Sequence, residues 1–139
     1  MTLIIFACVH NAGRSQMAAA WFNHLADPEK ARAVSAGTEP GTRVHPEVLA
    51  AMQEVGIELS SAKPQLLTAP MVAESRHLVT MGCGEACPVA PRWVVRADWP
   101  LEDPKGKPIE RVREIRDDVR ARVIEFVRAY GWERSTHAV

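Results

Sequence analysis

The stretch Cys8-Val9-His10-Asn11-Ala12-Gly13-Arg14-Ser15 organises the rest of this chain. An apolar run over residues 3–7 precedes it, and a helical pattern begins near Gln16, which predicts a strand, a tight loop and a helix N-terminus. Backbone N–H groups in such a loop point inward, the helix start adds partial positive charge, and the planar guanidinium of Arg14 can hold two anion oxygens. The pattern predicts a site for a tetrahedral oxyanion. Its predicted residues are Val9, His10, Asn11, Ala12, Gly13, Arg14 and Ser15.

Cys8 is the candidate nucleophile at the start of this loop. The positive field of the loop favours the thiolate over the thiol, and the thiolate is the reactive form. Ser15 can donate its hydroxyl to the sulfur, and Asn11 can brace the loop from inside. The structural alternative is a buried free cysteine at a strand end, with Arg14 facing solvent.

Composition limits the class of protein. The chain has 139 residues, which predicts a single domain over residues 1–139 with a substantial core. Lys plus Arg and Asp plus Glu both number 17, so the balance argues against a general nucleic-acid binder or a polybasic membrane anchor. We find no apolar run near ~18 residues and no signal-peptide pattern. Three cysteines without an export signal indicate reactive thiols. We therefore expect a cytoplasmic protein that spans no membrane.

Strand-like and helix-like segments alternate along the chain. Strands are predicted over residues 2–8, 31–37, 77–81 and 93–96. Helices are predicted over residues 15–26, 46–55 and 66–73, the last broken by Pro70, and from Pro108 onward, where the Arg- and Glu-rich face should be solvated. This alternation predicts an α/β fold, a four-stranded parallel sheet flanked by helices. Because ligands bind beyond the carboxyl ends of such strands, Cys8, Cys83 and an acidic loop over residues 98–103 should converge.

The pair Cys83 and Cys87 allows three interpretations. Their spacing places the Cα atoms about 6 Å apart on one helical turn, which is within disulfide range. They can be a redox pair that exchanges electrons with Cys8, or two inert core thiols. They can also bind zinc together with His77 and His10, although a second ligand pair at regular spacing is missing. The sequence predicts no metal and no bound cofactor.

Asp103 is the candidate general acid. A carboxylic acid near a bound oxyanion can protonate a leaving oxygen. Aspartate before proline is also common in turns, so the residue pair Asp103-Pro104 supports either role. Asp98 and Glu102 lie in the same segment and are less favoured candidates.

These motifs together resemble the arsenate reductases of the low-molecular-weight tyrosine phosphatase superfamily, over nearly the whole chain. The matching segments are residues 8–18, 35–38, 79–88 and 103–107. The resemblance implies a phosphatase-like, Rossmann-like domain. It also implies an enzyme of arsenic detoxification with a redox-active disulfide.

The resemblance further implies a sequence of thiol reactions. Cys8 attacks arsenate held by the loop amides and Arg14, while Asp103 protonates the departing oxygen. Cys83 then attacks Cys8, arsenite leaves, and a disulfide joins Cys8 to Cys83. Cys87 finally attacks Cys83, and thioredoxin reduces the resulting disulfide.

Three alternative functions stay open at this point. A phosphotyrosine phosphatase would use the same loop, but phosphatases of the superfamily carry aromatic residues where Lys105-Gly106-Lys107 follows Asp103-Pro104. Some relatives instead couple arsenate to mycothiol and a redoxin, and these typically lack the two extra cysteines. A non-enzymatic sensor would bind arsenite through three sulfurs without turnover.

The resemblance also raises the question of a potassium ion beside the loop. Relatives hold this ion with Asn, Glu, Ser and Asp. Asn11 and Ser35 match two of these positions, whereas Ala19 and Gln65 depart from the other two. We therefore expect no potassium site. Lys63 falls near the missing ligands, and one hypothesis is that its ammonium group replaces the ion. His10 stands where relatives often have glycine, and it either tunes the Cys8 thiolate or covers the loop.

Overall fold

A computed structural model describes residues 1–82 and 90–134 of the chain. Within these ranges the strands form one parallel sheet in the order β2-β1-β3-β4, which confirms the predicted α/β fold. The elements in chain order are β1 (Thr2–Cys8), α1 (Arg14–Leu25), β2 (Ala31–Gly37), α2 (Pro46–Gln53), α3 (Ala69–Glu74), β3 (His77–Thr80), β4 (Val95–Asp98) and α4 (Ile109–Tyr130).

Strand β1 lies in the middle of the molecule. Ile4 and Phe6 face a core shared with α1, α2 and α4, whereas Ile5 and Ala7 face a second core that includes Val72 of α3. Helices therefore cover both faces of the sheet at β1. This explains the unbroken apolar run, because a strand buried on both faces has no reason to alternate polar and apolar residues.

Helix boundaries follow local sequence signals, with one correction. Pro46 is the first residue of α2, and Gly131 ends α4 in a left-handed conformation with φ +70°. The expectation that Pro70 breaks a helix over residues 66–73 is wrong. Helix α3 begins at Ala69, and Pro70 lies in its first turn, where the missing N–H has no intrahelical partner to lose. The side chain of Thr68 caps this helix by accepting a hydrogen bond from the Met71 amide.

Strand β4 begins two residues later than predicted. The expected strand over residues 93–96 relied on the apolar residues Trp93 and Val94, but the paired segment is Val95–Asp98. All of its residues are exposed, because β4 is an edge strand that pairs with β3 on one side. Trp93 precedes the strand, and its ring nitrogen donates to the Ala73 carbonyl. Apolar patterning therefore misplaced the strand.

Helix α4 packs an apolar stripe on the sheet, as its spacing predicts. Val112, Ile115, Val119 and Val123 are buried, while Tyr130 is 49% exposed and Val127 packs in its place. Within the described ranges, α4 included, we find no helix with a stretch long and apolar enough to cross a lipid bilayer.

Arg116 is an exception to the predicted solvated face of α4. It is buried, and its Nη1 donates to the Ala51 carbonyl at 2.8 Å and to Glu54 at 2.9 Å. Hydrogen bonds from Arg113 first, and then from Arg116, hold the pKa of Glu54 below its usual value. The Arg116 guanidinium therefore joins α4 to α2, a role that a pattern of charged residues along one helix does not reveal.

Candidate active site

Cys8 ends β1 and is buried beneath a loop over residues 9–13, which we call the nucleophile loop. The carbonyl groups of Val9, His10 and Ala12 are each bound by the segment that follows β2. The donors are the backbone N–H groups of Glu39, Gly41 and His45, at 2.8, 2.9 and 2.9 Å. Gly37 permits this close packing, since a Cβ atom there would lie 2.5 Å from the Val9 carbonyl oxygen. These bonds hold the loop carbonyls on its outer side.

The amide groups of the same loop have no such partners. Within the described part of the chain, no hydrogen-bond acceptor meets the N–H of His10, Asn11, Ala12 or Gly13. Helix α1 starts directly afterwards at Arg14, and the first N–H groups of a helix also lack intrahelical partners. Unpaired amides at a helix start form a receptor for an anion.

The side chain of Asn11 connects this loop to the cysteine. Asn11 is fully buried, with a left-handed φ of +51°. Its Oδ1 accepts hydrogen bonds from the Gln65 amide at 3.0 Å and from Gln16 Nε2 at 3.3 Å, which leaves Nδ2 to donate to Ser15 Oγ at 2.7 Å. Ser15 Oγ in turn lies 2.8 Å from Cys8 Sγ, and it donates its proton to the sulfur when Cys8 is a thiolate, because a thiolate has no proton to give. Both contacts expected from the sequence are present.

Arg14 and Asp103 meet at the edge of the nucleophile loop. Arg14 Nη1 donates to the Leu101 carbonyl at 3.0 Å, and Nη2 lies 3.7 Å from Asp103 Oδ2. Arg14 is 13% exposed and Asp103 is 49% exposed, so the cation is enclosed while the carboxylate reaches solvent. The Lys105 amide donates to the other Asp103 oxygen at 3.0 Å. This arrangement places a carboxyl group beside the oxyanion receptor.

Residues 99–107, which we call the acid loop, dock on the nucleophile loop through Pro104. Pro104 is buried, and a Cβ atom at Gly13 would lie 2.9 Å from its Cγ. The two other acidic candidates are engaged elsewhere. Asp98 accepts a hydrogen bond from Thr80 at 2.8 Å, and Arg111, at 2.6 Å, lowers the pKa of Glu102. Asp103 is therefore the acid best placed to act at the loop.

A basic cleft of about 280 Å³ opens beside the nucleophile loop. His10, Arg43, His45 and Lys105 are among its lining residues, and within the described part of the chain this lining includes no carboxylate and no Phe, Tyr or Trp ring. The His10 side chain is turned to the Glu39 carbonyl, at 3.0 Å from Nδ1. His10 therefore covers the loop and ties it to the neighbouring segment.

The residues beside Asn11 are joined to one another by hydrogen bonds. Gln65 Nε2 donates to the Ser35 carbonyl at 2.8 Å, and its backbone amide donates to Asn11 Oδ1. The oxygens at these two positions thus already receive N–H donors. The expectation for Lys63 is wrong, because its ammonium group is exposed and makes no hydrogen bond or ion pair with any described residue. Gln65 occupies the place beside Asn11 that we had considered for Lys63. In the sequence, Gln65 was recognisable only as a departure from the Asp that relatives carry there.

The structure does not bring His77 and His10 together. His77 starts β3 opposite Ile4, whereas His10 follows the other end of β1. Burial first, with a contribution from Arg76, lowers the pKa of His77, which packs against the rings of Phe126, Tyr130 and Trp132. The zinc interpretation with both histidines is therefore wrong. Cys83 and Cys87 lie outside the described residues.

Sequence reasoning missed the roles of one side chain, one backbone amide and one glycine at this site. The Gln16 side chain and the Gln65 backbone amide orient the side-chain amide of Asn11, and Gly82 packs against Arg14. For Gln16, the available signal was a polar amide directly before the apolar segment Met17-Ala18-Ala19-Ala20 of α1.

Comparison with known proteins identifies the family. The model of the low molecular weight phosphotyrosine protein phosphatase family matches residues 3–135. A putative arsenate reductase of Halobacterium salinarum is 38% identical over 125 residues, which is 87% of either chain. The solved structure of the Corynebacterium glutamicum thioredoxin-dependent arsenate reductase has a TM-score of 0.80 and 35% identity, covering 93% of this chain and 61% of that one. A structure described as an arsenate reductase in the phosphate binding state has a TM-score of 0.80 and 33% identity, covering 93% and 98%. This chain belongs to the low molecular weight phosphotyrosine protein phosphatase family.

Proposed function

We propose that this protein reduces arsenate to arsenite, with Cys8 as the nucleophile. The observation that carries the proposal is the nucleophile loop, whose carbonyls are bound on the outside while four successive amides, from His10 to Gly13, have no partner in the described chain. A buried sulfur lies at its base, and the similar proteins reported above carry names or descriptions of arsenate reductases. One of them is described in a phosphate binding state, and phosphate has the same tetrahedral shape as arsenate.

In the first step the Cys8 thiolate attacks arsenic. The loop amides and the free N–H groups of Arg14 hold the equatorial oxygens, and their charge matches the negative charge that develops there. The Ser15 hydroxyl stabilises the thiolate by donating to it. Asp103 donates a proton to the leaving oxygen, which departs as water.

In the second step Cys83 attacks the sulfur of Cys8. A disulfide forms between them, the electron pair of the breaking sulfur–arsenic bond stays on arsenic, and As(V) becomes As(III). Two thiols are thus oxidised for one arsenate reduced. Cys87 then exchanges with Cys83, and thioredoxin reduces the new disulfide. Thioredoxin acts in a reducing compartment, so the proposal includes a cytoplasmic location.

The position of Gly82 supports the second step. The Met81 amide donates to the Ala7 carbonyl at 2.8 Å, so the end of β3 lies alongside the end of β1, next to Cys8. Gly82 follows and contacts Arg14. The described chain therefore reaches Gly82, the residue that precedes Cys83 in the sequence, beside the anion site. The Corynebacterium glutamicum protein named thioredoxin-dependent gives independent support for this reductant.

The cleft beside the loop favours a small inorganic anion over an aryl phosphate. A phosphotyrosine ring needs an aromatic or apolar wall, whereas Arg43 and Lys105 line the cleft. Tyr130 stacks on Trp132 near His77, beyond the opposite end of β3. The mycothiol route is the second candidate, and it would leave Cys83 and Cys87 without a role.

The test is oxidation of NADPH in the presence of thioredoxin and thioredoxin reductase. We expect oxidation that depends on arsenate, is absent with phosphate, and is lost in Cys8→Ser, Cys83→Ser and Cys87→Ser. If NADPH oxidation requires mycothiol and a redoxin instead of thioredoxin, the internal thiol relay is wrong and the mycothiol route takes its place. Hydrolysis of aryl phosphates without any arsenate reduction would overturn the proposal.

A further inference from the structure

We propose that Gly82 is a positioning residue for Arg14, and that the absence of a side chain at position 82 sets where the guanidinium meets the oxyanion. The inference rests on the proposed function, because it concerns the same anion site. Gly82 follows β3, and it has no side chain with which to bind the anion itself. It acts through Arg14.

The contact between the two residues is unusually close. A Cβ atom built on Gly82 would lie 2.7 Å from Arg14 Nη1, 3.3 Å from Cζ and 3.4 Å from Nη2. Carbon atoms of side chains essentially never approach other heavy atoms to less than ~3.0 Å, since repulsion rises steeply there. The guanidinium therefore occupies the space that any other residue at position 82 would need.

The guanidinium has little freedom to move away. Its Nη1 donates to the Leu101 carbonyl at 3.0 Å, and its Nη2 lies 3.7 Å from Asp103 Oδ2. A methyl group at position 82 would push on Nη1, the atom that makes the Leu101 bond. The displaced guanidinium would then lose its alignment with the loop amides, and its two-point grip on an anion depends on that alignment.

Backbone conformation alone does not explain this glycine. Gly56, Gly82, Gly106 and Gly131 all have positive φ, between +70° and +97°. At Gly56, Gly106 and Gly131 a Cβ atom would meet nothing within 4 Å. Among the positive-φ glycines of the described chain, Gly82 therefore combines left-handed backbone with a blocked side-chain position, and the blocking group is the anion-binding arginine.

This difference supplies a matched control. Gly56→Ala imposes a similar backbone strain, at φ +83°, without any contact. We expect Gly82→Ala to weaken the binding of inorganic phosphate, measured by calorimetry, about tenfold or more, the loss expected for a misaligned charged hydrogen bond. The KM for arsenate should rise by a similar factor, while kcat falls less. Gly56→Ala should leave both within about twofold of the wild type.

A double-mutant cycle tests whether the effect passes through Arg14. Arg14→Lys replaces the guanidinium with a narrower ammonium group, so a methyl at position 82 no longer meets it. In the Arg14→Lys protein, Gly82→Ala should change phosphate binding by less than about twofold. Equal effects in both backgrounds would overturn the inference.

A second variant separates misfolding from misplacement. Asparagine tolerates left-handed backbone better than alanine does, and it still brings a Cβ atom to position 82. Gly82→Asn should therefore fold, by circular dichroism, and should still bind phosphate weakly. A Gly82→Asn or Gly82→Ala protein that binds phosphate as tightly as Gly56→Ala would refute the role of Gly82. A wild-type protein that binds no phosphate and reduces no arsenate would instead refute the proposed function.

Discussion

The nucleophile loop and the acid loop serve the same anion site, and they are held in opposite ways. Asn11 and Ala12 of the nucleophile loop are at most 2% exposed, and the segment after β2 binds the loop carbonyls. In the acid loop Asp103 is 49% exposed, and its side chain is held by a turn bond from the Lys105 amide and by the Nη2 group of Arg14, 3.7 Å away. A receptor for charge works best when its dipoles are fixed in advance, because nothing then reorganises during the reaction. A proton donor must regain its proton after each turnover, which contact with solvent permits.

The comparison predicts that the largest loss comes from the buried loop. Asn11→Ala removes the donor that orients Ser15, and it places alanine at a φ of +51°. We expect kcat/KM for arsenate to fall about 100-fold to 1,000-fold, as when preorganised donors are removed from other enzymes. Steady-state kinetics of the folded variant measure this. A loss of less than about threefold would mean that the loop is not held by Asn11.

A change in the exposed loop should cost less. Asp103→Asn keeps the shape of the side chain and removes the proton donor, so we expect the single-turnover rate to fall about 10-fold to 100-fold. The matched control is Asp98→Asn, because Asp98 accepts a bond from Thr80 and has no contact with Arg14. Equal losses in the two variants would show that Asp103 has no special role.

A smaller effect is expected from Gln16, one position beyond the predicted loop. Gln16→Glu preserves the shape but turns a donor toward the two Asn11 oxygens into an acceptor. We expect alkylation of Cys8 by iodoacetamide and kcat/KM to fall together about tenfold at neutral pH. At acidic pH the introduced carboxyl group becomes protonated and can donate again, so the loss should shrink. A loss independent of pH would assign Gln16 to packing alone.

A substitution at His77, which starts β3 at the end of the sheet away from Cys8, should affect stability rather than activity. Burial lowers the pKa of His77 below its ordinary 6.5, so the unfolded chain binds a proton more readily than the folded protein does. Stability should therefore fall as the pH drops below about 6.5, and His77→Phe should reduce this loss. Urea unfolding at about pH 7.5 and about pH 5.5 measures the difference. If the pH dependence of stability is the same in His77→Phe as in the wild type, groups other than His77 control it. Arsenate turnover at neutral pH should be unaffected by the substitution.

Local signals in the sequence were sufficient for β1, the nucleophile loop and the start of α1. The apolar run of β1 reflects burial on both faces, and the contacts of Asn11 and Ser15 span four and seven residues of chain. Such features depend on neighbours in the sequence. Pro46 at the start of α2 belongs to the same class.

Features that depend on distant residues could not be predicted. Gln65 reaches Asn11 across 54 positions, and Arg116 reaches Ala51 across 65. The proposed role of Gly82 depends on its contact with Arg14, and the spacing of these residues in the sequence does not predict that contact. The roles of Cys83 and Cys87, and the single domain over residues 1–139, stay predictions.

The most direct test of the account maps disulfides by mass spectrometry after one arsenate turnover without an external reductant. The account predicts that the wild type gains a disulfide between Cys83 and Cys87 while Cys8 returns to a free thiol. In Cys87→Ser the disulfide should instead join Cys8 to Cys83, with one arsenite released per chain. If arsenate produces no disulfide in either protein, or one that forms equally in Cys8→Ser, then Cys8 does not start the reaction and the central claim is wrong.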